Sequence, residues 1–206
     1  MGTLRPPPGG PGLPRRNAAR AAPGSAGVGI GKRIHPAQAS LDRIRRALAR
    51  DASRSLEDLA RRYGVSLLQV VRCLPEGSVR EAPGAATVPA LQAIAGWGEV
   101  VTLIHGRREV TRRQGPLGSG WPDLAEQLDN GKAVIGPDRR ECATIAFVAR
   151  PAGGRPSASV EFFDADGDWG VRILVRRGAH GSLDAEQMQA FLDLAERLAQ
   201  WPRGEC

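Results

Sequence analysis

Cysteine is scarce in this sequence and poorly placed for its usual structural roles. Three thiols, Cys73, Cys142 and Cys206, lie far apart with no C-x-x-C spacing. That argues against a disulfide framework and a structural zinc site, and it favours a reducing compartment, the cytoplasm. No apolar run approaches the ~18 residues that a membrane-spanning helix needs, so membrane insertion is not expected. Residues 1–14 are rich in Gly and Pro without an apolar core, unlike a secretory signal. A Gly-rich phosphate loop ending in Lys-Ser/Thr, an H-E-x-x-H and a G-x-S-x-G are all missing. The common signatures of nucleotide hydrolysis, zinc proteolysis and serine acyl transfer are therefore absent.

Acidic residues are missing from the first 40 positions. Arg5, Arg15, Arg16, Arg20, Lys32 and Arg33 stand there alone and supply six of the seven net positive charges. The remainder is close to neutral, so its net charge makes no case for nucleic-acid binding. The run Pro6-Pro7-Pro8-Gly9-Gly10-Pro11-Gly12 nucleates neither helix nor sheet, and residues 1–39 read as a disordered, solvated tail. Residues 40–201 read as one domain, with a helical module over 40–75, and 202–206 as a short C-terminal tail.

Within the domain the apolar periodicity is first helical. Ser40 is a candidate cap for a helix over 41–50, with Leu41, Ile44 and Leu48 on one face. Ser55 caps 56–63, which Gly64 ends, and Ser66 opens 67–74, which Pro75 stops. Residues 76–88 read as a loop and 89–97 as a helix with Pro in its first turn. After Gly98 the pattern becomes extended. Strands are expected over 100–105, 109–113, 132–135, 142–150, 157–164 and 169–176, with loops at 106–107 and 115–120. The run Asp164-Ala165-Asp166-Gly167-Asp168 reads as a solvated hairpin turn; it resembles half of a calcium loop but lacks the Glu at the twelfth position. A helix over 182–200 closes the chain, with Phe191, Leu194 and Leu198 in its apolar stripe. Helices, then strands, then one helix predict an α+β domain: an N-terminal helical module, an antiparallel sheet flanked by helices, and a closing C-terminal helix.

Chemistry-bearing residues are few. The segment from Leu56 to Ser66 has the helix–turn–helix pattern, in which Leu67, Gln69 and Arg72 would face DNA. The apolar Leu67, Leu68, Val70 and Val71 instead suggest a packing module. Cys142 and His105 could form a nucleophilic pair, although a mid-strand thiol is usually a buried small hydrophobe. Of the three histidines, His35 falls in the tail, His180 just before the last helix, and His105 at the end of the strand that leaves Trp97-Gly98. A neutral imidazole at a rigid strand end suits haem iron, and it equally suits an ordinary solvent-facing position.

The order of these elements resembles the HutX/ChuX family of intracellular haem carriers. The resemblance rests on Tyr63-Gly64-Val65-Ser66, Val70-Val71-Arg72-Cys73-Leu74-Pro75, Trp97-Gly98 leading to Ile104-His105, Cys142–Val148, Ser157–Phe163, and Glu186-Gln187 with Ala190-Phe191. It implies a cytoplasmic homodimer that binds haem b and exchanges it with donor and acceptor proteins of haem uptake. It places an iron ligand on His105. Arg177 matches part of the family's Gly-Arg-Asp, and Arg177, Arg107 and Arg108 become candidates for the propionates. His180 is a candidate sixth ligand, and Trp121 and Trp169 are packing residues that could also stack on a porphyrin. The family's second histidine is absent here, where Val134-Ile135-Gly136-Pro137-Asp138 stands. Other readings are a haem-degrading enzyme of the related tandem proteins, a helix–turn–helix regulator, and a member of the family that has lost haem.

Overall fold

Ser55 and Ser66 start two helices, as their positions predict. In the computed structural model, which describes residues 36–105, 109–117, 128–129, 132–135, 140–178 and 181–202, helix α2 spans Leu56–Tyr63 and α3 spans Leu67–Val71. The Ser55 hydroxyl accepts the Asp58 amide at 3.0 Å. Ser66 and Gln69 form a reciprocal capping box, each side chain bonding the other's backbone amide. Gly64 ends α2 at φ 62°, where a Cβ would be strained. Helix α1 departs from expectation. It runs Pro36–Arg50, so Ser40 lies inside it and the expected tail loses its last four residues to the helix. Proline suits a first turn, whose amide would have no partner in any case. Residues 1–35 and 203–206 lie outside the described residues.

The loop expected over 76–88 is also corrected. It contains strand β1 (Val79–Pro83) and a 3-10 turn (Gly84–Ala86), followed by α4 (Thr87–Ala95). Then come β2 (Glu99–His105), β3 (Val110–Pro116), three short strands β4 (Leu128–Asp129), β5 (Lys132–Ile135) and β6 (Arg140–Glu141), the long strands β7 (Thr144–Ala152), β8 (Arg155–Phe163) and β9 (Trp169–Leu174), and α5 (Ala185–Ala199). The main sheet has the order β1-β7-β8-β9-β2-β3, each pair antiparallel, and β4-β5-β6 form a small second sheet.

Alternation along β7 divides the core. Ile145 and Phe147 face α4 and α5, where Leu91, Ile94, Phe191, Leu194 and Leu198 meet them. Ala146 and Val148 face the opposite way, onto Ile44, Leu48, Leu59, Val70 and Val71. The result is three layers: helical module, sheet, and the α4/α5 pair. Helix α3 turns Leu67, Leu68, Val70 and Val71 into the core, and the Leu68 amide bonds the Gly167 carbonyl at 3.0 Å. Gln69 is held in its capping box, and Arg72 pairs with both carboxylate oxygens of Glu81 at 2.8 and 2.7 Å. Helix α3 is thus a packing element docked on the β8–β9 turn, as its apolar residues suggest, and not a DNA reader. That turn is not simply solvated: Asp164 is buried, and its Oδ1 accepts the amides of Asp166 and Asp168.

The pairing of β8 with β9 is irregular at one point. Phe162 pairs with Val171 and Phe163 with Trp169, so β9 carries an extra residue, Gly170. Val171 and Ile173 face α5; simple alternation would send Trp169 there too. The bulge turns it to the module's face.

Candidate functional site

His105 ends β2 on an exposed position, directly across from Val110 of β3. Residues opposite one another in an antiparallel pair share a face, so His105, Leu103 and Val101 stand on the same side as Val110, Arg112 and Gln114. This is also the side to which the bulge delivers Trp169. The imidazole stacks on the Trp169 indole, with ring centroids 5.1 Å apart and planes at 28°. The indole is buried, at 8% exposure, and gives the histidine a fixed wall to lie against. Trp169 is therefore a packing residue, as expected, with the added role of orienting His105.

Behind the indole lies a chain of charges. The Arg172 guanidinium sits 4.8 Å from the Trp169 ring centroid, within cation–π range. It ion-pairs with Glu161 at 3.0 Å and with Glu57 of α2 at 2.9 Å. Ser159 donates its hydroxyl to Glu161 at 2.9 Å. Burial opposes ionisation of Glu57, but the Arg172 charge outweighs it and holds the carboxyl below its ordinary range. For Arg172 likewise, burial works against the charge, and Glu161 and Glu57 together raise its pKa. The helical module is thus fastened electrostatically to the strand that supports His105.

Arg112 is a residue that the sequence reading missed. It lies across from Leu103, diagonal to His105, at a spacing of roughly 7–8 Å for such neighbours. It is exposed and has no ion-pair partner among the described residues. The signal was parity on the return strand, which requires the β2–β3 register. Gln187 was also missed as a positioning residue. Its amide nitrogen donates to the Trp97 and Glu99 carbonyls at 2.9 and 2.8 Å, and its amide oxygen accepts the Arg176 amide at 2.8 Å. This one buried side chain holds the corner from which β2 departs, at Gly98 with φ 77°.

Of the other sequence candidates, the two that lie among the described residues, Arg177 and Cys142, do not approach His105. Arg177 lies three residues past the end of β9, whose Leu174 pairs with Val101, while His105 lies four residues the other way along β2. At about 3.3 Å per residue they stand on the order of 20 Å apart within one chain. The Arg177 guanidinium reaches the Gly181 carbonyl at 3.4 Å. Arg107, Arg108, Trp121, His180 and the position of the missing second histidine around Gly136 lie outside the described residues. Cys142 does not pair with His105: it precedes β7, three strand spacings or about 14 Å from β2, and burial pushes its thiol up to about 11. No group of three His, Cys, Asp or Glu able to hold a bare metal ion occurs among the described residues. No helix among them is long and apolar enough to cross a membrane.

The site therefore offers an exposed imidazole fixed on one side, an apolar strand face and a cation unpaired among the described residues. Similar folds carry similar strands. A protein from Erwinia carotovora is 30% identical, with a TM-score of 0.62 over 75% of this chain and 98% of its own. The heme binding protein ChuX is 28% identical, with a TM-score of 0.62 over 76% of this chain and 99% of its own. A protein from Agrobacterium tumefaciens is 25% identical, with a TM-score of 0.64 over 79% and 94%. No curated protein sequence matches the chain. The family model for haem utilisation ChuX/HutX matches residues 80–194, which run from β1 into α5 and take in His105 and all the residues that fix it except Glu57. With more than half of its length matched, the chain belongs to the haem utilisation ChuX/HutX family.

Proposed function

We propose that this protein binds haem b reversibly on the β2–β3 face and passes it on inside the cell, with His105 as the iron ligand. The observation that carries the reading is the stacked His105–Trp169 pair. It presents an exposed imidazole in a set orientation on an open strand face, where a flat ligand can approach. The donor set suits the ligand. A neutral imidazole is a good axial ligand, the half-buried Val101 and Leu103 offer apolar contact to a macrocycle, and Arg112 offers a charge-assisted partner to a propionate. Arg107, two residues beyond His105 in sequence, is a second propionate candidate. Arg177 stays outside the reading, because its own chain holds it at the other end of β9.

A carrier needs an accessible ligand that can be exchanged and no catalytic group, and an exposed histidine at a strand end meets that need. The heme-binding neighbour supports haem as the cargo. We further propose that the protein acts as a homodimer and exchanges haem with donor and acceptor proteins of haem uptake.

The test is a hemin titration followed through the Soret band. His105→Ala is expected to change the band position and weaken binding at least about tenfold, the equivalent of 1.4 kcal/mol. Arg112→Gln is expected to weaken binding by a smaller factor and leave the band position unchanged. An identical spectrum and affinity in wild type and His105→Ala removes His105 from the account. Loaded protein mixed with apomyoglobin should transfer its haem with the Soret intensity conserved. Bleaching with stoichiometric product in the presence of reductant and oxygen would place the protein with the haem-degrading enzymes instead.

A further inference from the structure

The turn between α1 and α2 opens a groove of about 420 Å³ whose lining is dominated by guanidinium groups. Arg43, Arg46 and Arg50 come from α1 at spacings of three and four residues, so they stand one above another on one face over about 10 Å. Arg54 enters from the turn and Arg62 from α2. The one acid in the lining, Asp51, is already engaged. Its carboxylate accepts both the amide and the hydroxyl of Ser53, which hold it below its ordinary range, and Arg54 lies 3.9 Å away. Five fixed cations thus face one anion that is tied into the turn.

The arginines on the outer surfaces of the same two helices are treated differently. Arg45 is paired with Asp42 at 2.8 Å and Arg61 with Asp58 at 2.7 Å. Arg43, Arg50 and Arg62 have no carboxylate partner among the described residues. Outside the groove Arg45 and Arg61 each have their own carboxylate, whereas within it five guanidinium groups share Asp51 alone. Grouping like charges this way costs stability that a counter-ion would recover. Guanidinium forks match phosphate oxygens in pairs, and a groove of this volume falls in the range that accepts a small molecule. The ring of Tyr63 at one end, 5.8 Å from the Arg62 guanidinium, adds a flat surface beside the cations.

We propose that this groove binds a compact, multiply charged phosphate anion, the chemistry shared by inorganic polyphosphate and a nucleoside triphosphate. The site is separate from the His105 face and does not depend on the haem reading. Two links join them: Glu57 of α2 pairs with Arg172, and Arg150 of β7 donates to the Ala52 and Arg54 carbonyls of the α1–α2 turn.

Calorimetric titration of the full chain with tripolyphosphate, ATP and adenosine at about 0.15 M salt tests it. Both anions should bind at one site and adenosine should not. Equal affinities assign recognition to the phosphates alone, and tighter ATP binding assigns the Tyr63 end to the base; either outcome supports the proposal. Arg43→Gln with Arg50→Gln, both at exposed positions, should weaken the anions about tenfold, and Arg62→Gln on the other helix should weaken them by a smaller factor. The hemin spectrum and the circular dichroism should stay unchanged in all of these variants. Absence of binding overturns the proposal. So does an affinity that survives the double substitution, since the basic N-terminal segment would then be the binder. A short single-stranded oligonucleotide that binds more tightly than tripolyphosphate, and is lost in the same variants, overturns it in favour of a nucleic-acid contact.

Discussion

Gln187 tests how much of this fold's stability rests on a single side chain that is both donor and acceptor. It is 5% exposed and makes three hydrogen bonds, to the Trp97 carbonyl, the Glu99 carbonyl and the Arg176 amide. Each is worth about 1 kcal/mol net, so Gln187→Ala should cost about 3 kcal/mol. In a domain of this size that lowers the melting temperature by about 6–12 °C. Calorimetry or thermal circular dichroism reads it directly. Two further substitutions separate polarity from packing. Gln187→Met keeps the length and removes every hydrogen bond, and should keep most of the loss. Gln187→Glu can still accept from Arg176, but it turns acceptors toward two carbonyl oxygens and should be worse than Met at neutral pH. A Met variant within about 0.5 kcal/mol of wild type would show that water or packing replaces these bonds, and the reasoning would fail.

Two other outcomes follow from the titrating groups. Glu57 is held below its ordinary value of 4.5, so its stabilising contribution is complete above that value and is lost as pH falls through the folded pKa. The stability difference between wild type and Glu57→Gln, measured by denaturant unfolding, should therefore shrink from about pH 6 to about pH 3; a constant difference refutes the ion pair's role. Cys142, with its thiol at about 11 and its side chain buried, should resist thiol reagents at neutral pH until the protein unfolds. Rapid labelling of Cys142 in the native protein, mapped by mass spectrometry, would contradict its burial.

Much of the architecture was legible because it is local. Ser55, Ser66 and Gly64 mark helix ends by side-chain chemistry that acts within four residues. The strands at β2, β7, β8 and β9 show in their β-branched and aromatic runs. β1 was illegible for a physical reason: Val79-Arg80-Glu81-Ala82-Pro83 carries two charges and a proline, and it becomes a strand only because β7 offers an edge. The start of α1 could have been read from Pro36 and was assigned instead to the better-known cap, Ser40. Of the site, His105 and Trp169 showed in the sequence as single residues, but their contact did not. Trp169 faces it because of one extra residue in β9, and Arg112 shares its side because of a register set between two strands. Both are facts of pairing, which the one-dimensional pattern does not contain.

The helical layer covers β7, β8 and β9 and reaches only as far as Leu103 on β2, while β3 is exposed from Val110 to Gln114. Local opening is governed by buried contact, so amide protons should exchange slowly in β7 and β8, faster in the outer part of β2, and fastest in β3. His105 lies where that gradient is steep. On one side it touches the buried indole of Trp169, and on the other it pairs with the exposed strand β3 at the end of the sheet. Substitutions in β3 should then change the protection of the paired β2 amides without touching the histidine.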